Sequence, residues 1–343
     1  MTTIRTTGSV EPYTDLKVKS RIDANLMPGP NIDATAPYLE GAPARFAQMH
    51  ELTGTEDAKR MVAYWVAEGM TSFKAYMNIT QDELGVAIKE AHAHKMKVTG
   101  HLCSVTWPEA IGLGIDNLEH GPVFSDSEFV QDKKPNVCTP GADSWVKQDV
   151  KGPQVQDLIR NLISHHVAVT STLPVFESGA PGRPKLQART LDAMSPESAQ
   201  SYLTTRARVA MDAPMSALLR KEMEFEIEFV RRGGLLLAGP DPTGNGGVLP
   251  GFGDQREIEL LVEAGFTPSE AIHIATENGA VYLNQQDEIG VIAPGKRADL
   301  VLIKGDPSRQ IDEIENVETV FKAGVGYDSS KLLGSVRGQV GIR

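Results

Sequence analysis

The sequence predicts an α/β fold, a barrel of parallel βα units followed by a small β layer, and three observations predict it. Short apolar, β-branched runs alternate with amphipathic stretches of helical period through most of the chain. Each such run passes promptly into a helix instead of a hairpin turn, which is the pattern of parallel strands with crossover helices. After residue 284 the pattern changes to β runs separated by turns.

The elements follow in order. Residues 2–7 are β-branched and open the series, and residues 31–38 read as a second extended segment ending in a Gly-Ala-Pro loop. The clearest units come next: a helix over 55–68, a strand over 72–77, a helix over 81–94 opened by Thr80, and a strand over 97–103. They continue as helix 107–113, strand 117–120, helix 154–164, strand 167–173, helix 215–231 and strand 235–238, and helices 255–264 and 268–280 close the repeat. Two connections are unusually long. Residues 173–215 are polar, contain GAPGRPK and are expected as a substrate lid, and residues 126–151 form a second loop on the face where barrels carry specificity. The expected domains are a barrel over 1–284, a β segment over 285–327 and a C-terminal tail over 328–343.

The chain has 343 residues, 41% of them hydrophobic, enough for one large core or two smaller ones. A net charge of −11 repels phosphate backbones and anionic lipid, so neither nucleic acid nor membrane is expected as a partner. Cys103 and Cys138 are too few for a disulfide framework and lack zinc-knuckle spacing, and both are expected as ordinary thiols. No secretion signal is visible at the N-terminus, and no apolar run is long enough to span a bilayer. The first residues read as the interior of a domain, so the compartment stays open. It is cytoplasmic if this is the whole chain and exported if a signal-bearing N-terminus has been removed.

Four residues sit at or near the C-terminal ends of apolar strands, where barrels assemble their sites: Lys74, His101, His120 and Asp241. A buried lysine in TSFKAYM must be neutralised, paired or covalently modified, and a carbamate made from its amine would be an oxygen ligand. His101 in KVTGHLC and His120 in NLEHG offer imidazoles suited to zinc. Asp241 in LLLAGPD could bind metal and take a proton from water. A lone strand-end histidine is more often a hydrogen-bonded structural group, but four such residues at four strand ends point to convergence. Tyr76 shares a strand face with Lys74 and is a candidate substrate contact, with a core role the equal alternative. His165 and His166 precede a strand and read as structural, and His50, His92, His94 and His273 as surface or packing residues. The GNGG run after Asp241 lacks phosphate-loop context, and Ser104 and Ser171 have neither a nucleophile elbow nor a base in register.

Together FKAYM, VTGHLC, IDNLEHG, AGPD, ELLVEAGFTPSEAIHIATENGA and IGVIAPGKRADLVLIKGDP resemble the imidazolonepropionase-like branch of the amidohydrolase superfamily, which includes prolidase-like dipeptidases. The resemblance implies a TIM-like (β/α)8 barrel with a partial β-sandwich. It implies divalent metal, zinc by default and one or two ions, held by a carbamylated Lys74, by His101 and His120, and by Asp241, which also acts as base. That family begins with sandwich strands and a first barrel strand ending in His-x-His, and the motif does not occur here. TTIRTTGS resembles the second barrel strand, so the first strand and the sandwich partners of residues 290–326 are expected to be missing. An open barrel exposes strand edges, and a homo-oligomer is therefore expected. The reading is a metal-dependent hydrolase of an amide or peptide-like bond in a small molecule. The alternatives are an esterase, lactonase or organophosphate hydrolase on the same site, a catalytically incompetent fragment or pseudoenzyme, and a Schiff-base enzyme using Lys74.

Overall fold

The computed structural model describes residues 1–183, 185–209, 214–242 and 248–341, which divide into two compact units. The first comprises residues 3–170 and 228–235, the second residues 171–227 and those from 236 onward.

The first unit runs β1 (Thr3–Arg5), α1 (Pro12–Asp23), β2 (Asn31–Asp33), α2 (Thr55–Ala67), β3 (Ser72–Ala75), α3 (Gln81–Ala93), β4 (Lys97–Gly100), α4 (Trp107–Leu113) and β5 (Asn117–Glu119). Then come the short α5 (Pro122–Ser125) and α6 (Ala142–Trp145), α7 (Pro153–Ser164) and β6 (Ala168–Ser171), whose last residue opens the second unit. The pairings are parallel throughout. β1 lies on β2, bridges at Thr35–Ser72 and Leu39–Ala75 carry the chain beyond β2 onto β3, and β3, β4, β5 and β6 follow in order. This is a mixed α/β fold built on a parallel sheet, as the alternation of periods predicts. Register sets Lys74 opposite Thr99, and Glu119 opposite Thr170, so residues at successive strand ends come to one edge.

Local sequence explains the helix starts. Thr80 and Thr106 each close a capping box with a glutamate three residues on, and such a cap contributes about 1 kcal/mol. α7 buries Val155, Leu158, Ile159 and Leu162, which recur at helical spacing. At Gly41 a Cβ would stand 2.0 Å from the Asn78 carbonyl oxygen, so only glycine admits that approach.

The second unit holds α8 (Leu173–Glu177), α9 (Ala188–Ala193), α10 (Pro196–Val209), most of α11 (Pro214–Arg231), β7 (Leu236–Ala238), α12 (Phe252–Ala264) and α13 (Pro268–His273). A π-helical turn, Ile274–Asn278, leads into α14 (Gly279–Tyr282). β8 (Leu300–Ile303), β9 (Val317–Lys322) and β10 (Val325–Asp328) form an antiparallel sheet, and α15 (Ser329–Ser335) follows.

Several expectations change. The two cysteines are not free thiols: Cys103 and Cys138 are joined in a disulfide, with Cα atoms 4.6 Å apart. Spacing could not show this, because the pairing arises only when the 126–138 loop folds back onto the end of β4. There Ser127 Oγ donates to the Cys103 carbonyl at 2.8 Å, and Lys133 Nζ to the Ser104 carbonyl at 2.6 Å. α1 lies in a stretch that gave no helical reading, being charged and burying only Ile22 among its residues. The expected lid contains three helices, α8, α9 and α10, and the tail carries α15. The helix expected over 268–280 is continuous but widened by the π turn, which lets Asn278 Nδ2 donate to the Leu236 carbonyl at 2.8 Å. The GNGG run, Pro184 and residues 210–213 lie outside the described residues.

Candidate active site

Lys74, His101 and His120 come together in the first unit, because β3, β4 and β5 are adjacent and in register. Lys74 is on β3 and 4% exposed, and its Nζ stands 5.7 Å from the ring centre of Tyr38 and 5.9 Å from that of Tyr76. Such distances allow cation–π attraction, which partly offsets the cost of burying an ammonium. His101 follows β4 and its N–H donates to the Ala75 carbonyl at 3.1 Å. His120 follows β5 and donates to the Thr170 carbonyl at 3.0 Å. The two imidazole rings lie 4.6 Å apart, and the Tyr76 ring is 5.0 Å from His101 and 4.8 Å from Tyr38.

Burial, then the charges of His120 and Lys74, hold His101 well below the usual histidine range. Burial and the Lys74 charge outweigh the pull of Glu119 and hold His120 at about 3. Both rings are therefore neutral near pH 7, and the neutral imidazole is the form that binds metal. That donor chemistry fits a divalent ion, with Lys74 contributing oxygen only as a carbamate. Among the described residues no group of three or more histidines, cysteines or acids is set to hold a metal.

Beneath the imidazoles lies a polar layer that the sequence reading missed. Arg5 donates to Asn117 Oδ1 at 2.8 Å, to Glu119 Oε1 at 3.0 Å and to Thr170 Oγ1 at 3.3 Å. Thr99 donates to Glu119 Oε1 at 2.5 Å. Burial alone would push Glu119 up, but Arg5, then Lys74 and His120, with the Thr99 hydroxyl, hold it at about 2. The signal was period two: Asn117 and Glu119 share the face that carries their partners.

Backbone strain marks the same strand ends. His120 has φ 69° and Asp241, which follows β7 in the second unit, has φ 43°. Asn25, Lys95, His166 and Asn284 are also left-handed, but each directly follows a helix C-cap, where that conformation is ordinary. His120 and Asp241 instead follow strands, as Thr7 does, while Asp132, Asn136 and Ala323 are left-handed in turns. The other histidines lie apart from the pair. His50, His92, His94 and His273 lie against the carboxyls of Asp57, Asp116, Glu90 and Glu277, and His165 Nδ1 bonds the Asn161 carbonyl. A groove of about 690 Å³ between α4, α7 and residues 128–130 contains none of the candidate residues.

Residues 247–326 match the amidohydrolase family. Among the described residues the matched stretch runs from just before α12 into β10, so it includes the two helices and the β layer that closed the sequence pattern. A stretch of 59 residues is 37% identical to an adenine deaminase from Mesorhizobium japonicum, spanning 17% of this chain and 10% of that protein. The fold is shared with solved structures over almost the whole chain. A Xaa-Pro dipeptidase with bound methionine in its active site is 18% identical, with 96% of this chain and 75% of that one covered and a TM-score of 0.65. A bottromycin amidohydrolase is 19% identical, with 98% and 74% covered and a TM-score of 0.73. Among the described residues, no helix is long and apolar enough to cross a membrane.

Proposed function

We propose that this chain hydrolyses an amide or peptide-like carbon–nitrogen bond in a small molecule such as a dipeptide, an N-acyl amino acid or a cyclic amide. The observation that carries the reading is the meeting of two neutral imidazoles, His101 and His120, beside the buried Lys74 at adjacent strand ends. The amidohydrolase segment, and the likeness to a dipeptidase and to an amidohydrolase, support it. On this reading the strands are staves of a (β/α)8 barrel and the antiparallel sheet is part of a β-sandwich. The working protein is a homo-oligomer.

His101, His120 and a carbamylated Lys74 would hold a divalent ion, zinc by default, with Asp241 as a further ligand. When bound, the ion supplies Lewis acidity that polarises a carbonyl and makes water acidic near neutral pH. The chain's own groups do the rest. The Arg5–Glu119 layer fixes the strand ends from below, and the Tyr76 ring beside His101 orients the substrate. Asp241 accepts a proton from the attacking water and returns it to the leaving amine.

Elemental analysis of the purified protein, with Lys74→Ala and His101→Ala alongside, tests the reading. About one metal per chain in the wild type, lost in both variants, is the expected result, and a wild type without stoichiometric metal overturns it. Asp241→Asn should keep the metal while turnover of a dipeptide or N-acyl amino acid falls roughly 10²–10⁴-fold. Unchanged turnover removes Asp241 from the base role.

A further inference from the structure

The second unit buries three carboxyls that the proposed chemistry does not use. Glu222 and Glu226 lie one turn apart on α11 and Glu257 lies on α12, and none is more than 1% exposed. Both carboxyl oxygens of Glu226 and both of Glu257 are without a hydrogen-bond partner. Ser171, the last residue of β6 and itself fully buried, turns its hydroxyl toward both groups without a well-formed bond to either. Glu222 acts on Glu226 from the same helix, while Glu257 feels Glu226 across from α11, Asp254 on its own helix and the Leu173 backbone at the start of α8. Every charged group among these is acidic.

An isolated carboxylate in such a place costs several kcal/mol, and two neighbouring ones repel each other. We propose that Glu226 and Glu257 are held in the folded protein as neutral carboxylic acids around the Ser171 hydroxyl, and that their ionisation loosens α11 and α12. As acids they gain the proton that lets each group donate as well as accept, so the orphaned oxygens and the serine can satisfy one another. Burial first, then the neighbouring acids, raises both groups well above the usual carboxyl range. A folded-state value above the unfolded one gives stability that is complete below the unfolded value and is lost as pH rises toward the folded one. The device reaches the strand end that carries Asp241, because the Ser171 carbonyl accepts from the Gly239 N–H at 3.0 Å, two residues before it.

The experiment is thermal melting of the full chain from pH 6 to 9 as wild type, Glu226→Gln and Glu257→Gln, with the exposed Glu224→Gln on α11 as control. It does not depend on the hydrolase reading. The wild-type midpoint should fall as pH rises, and each buried glutamine variant should melt higher at pH 8, by roughly 2–8 °C, with a flatter profile. The control should track the wild type. Glutamine variants that melt lower and keep the wild-type slope overturn the proposal. Hydrogen exchange of the α11 and α12 amides, corrected for intrinsic rates, reads the same event in the wild type alone: protection should fall between pH 7 and 9, and constant protection overturns it. A wild type that Ca2+ stabilises, while neither glutamine variant responds, would also overturn it by assigning the carboxyls to a cation.

Discussion

Glu119 in the first unit and Glu226 in the second are both sealed from water, yet their environments drive them in opposite directions. Glu119 has Arg5 at 3.0 Å and the Lys74 charge nearby, and it stays ionised, held at about 2. Glu226 has the Ser171 hydroxyl and the acid Glu222 beside it, and burial, then Glu222, drives it well above the usual carboxyl range. The difference teaches that burial sets how much is at stake and the partner sets the sign. In the first unit the ionised carboxylate builds a rigid floor under two histidines. In the second the neutral acid is a packing element whose loss of a proton would be disruptive.

The sharpest way to break this contrast is to remove the partner. Arg5→Ala leaves Glu119 buried without its guanidinium partner and should lower stability by about 3–5 kcal/mol, read as a shifted urea midpoint. Replacing both residues, Arg5→Met with Glu119→Gln, should recover most of that loss, because no buried charge then remains. If Arg5→Ala alone costs less than about 1 kcal/mol, the pair is not the floor described here.

Glu40 offers an intermediate case within the first unit. Its Oε1 accepts from the Asn78 N–H at 2.6 Å and the Gly41 N–H at 3.0 Å, while its Oε2 has no partner. Burial raises it to about 7 in spite of those backbone bonds. Folding therefore favours the protonated form, so its contribution is complete below the unfolded value of 4.5 and declines as pH rises toward 7. Glu40→Gln keeps the accepting oxygen and should stabilise the protein at pH 8 by about 1–3 kcal/mol, with little effect at pH 4. An equal effect at both values would show that Glu40 acts through shape and not through its proton.

Much of the scaffold was legible before any coordinates. Strands at Lys74, His101 and His120 and the helices after them depend on alternation and caps, which are local, and their bounds shift by only a few residues in the structure. What escaped was non-local or weakly patterned. α1 buries only one of its residues, so it has no apolar stripe to read. The lid helices α8, α9 and α10 lie in polar sequence whose helical spacing was masked by Gly, Pro and Ser at its start. The Cys103–Cys138 bond depends on a loop returning across 35 residues, which spacing cannot encode.

The sequence by itself determined the alternation of strand and helix, the switch to antiparallel β runs, and the candidate residues Lys74, His101, His120 and Asp241 at strand ends. These follow from side-chain periodicity and residue chemistry, both written along the chain. Only the tertiary structure decided that the two imidazoles lie 4.6 Å apart and neutral, that Arg5 reaches Glu119 across 114 residues, and that the carboxyl oxygens of Glu226 and Glu257 are buried without a hydrogen-bond partner. Charge state and pairing depend on which distant groups share a low-dielectric interior. That is fixed by packing, not by any local run of residues.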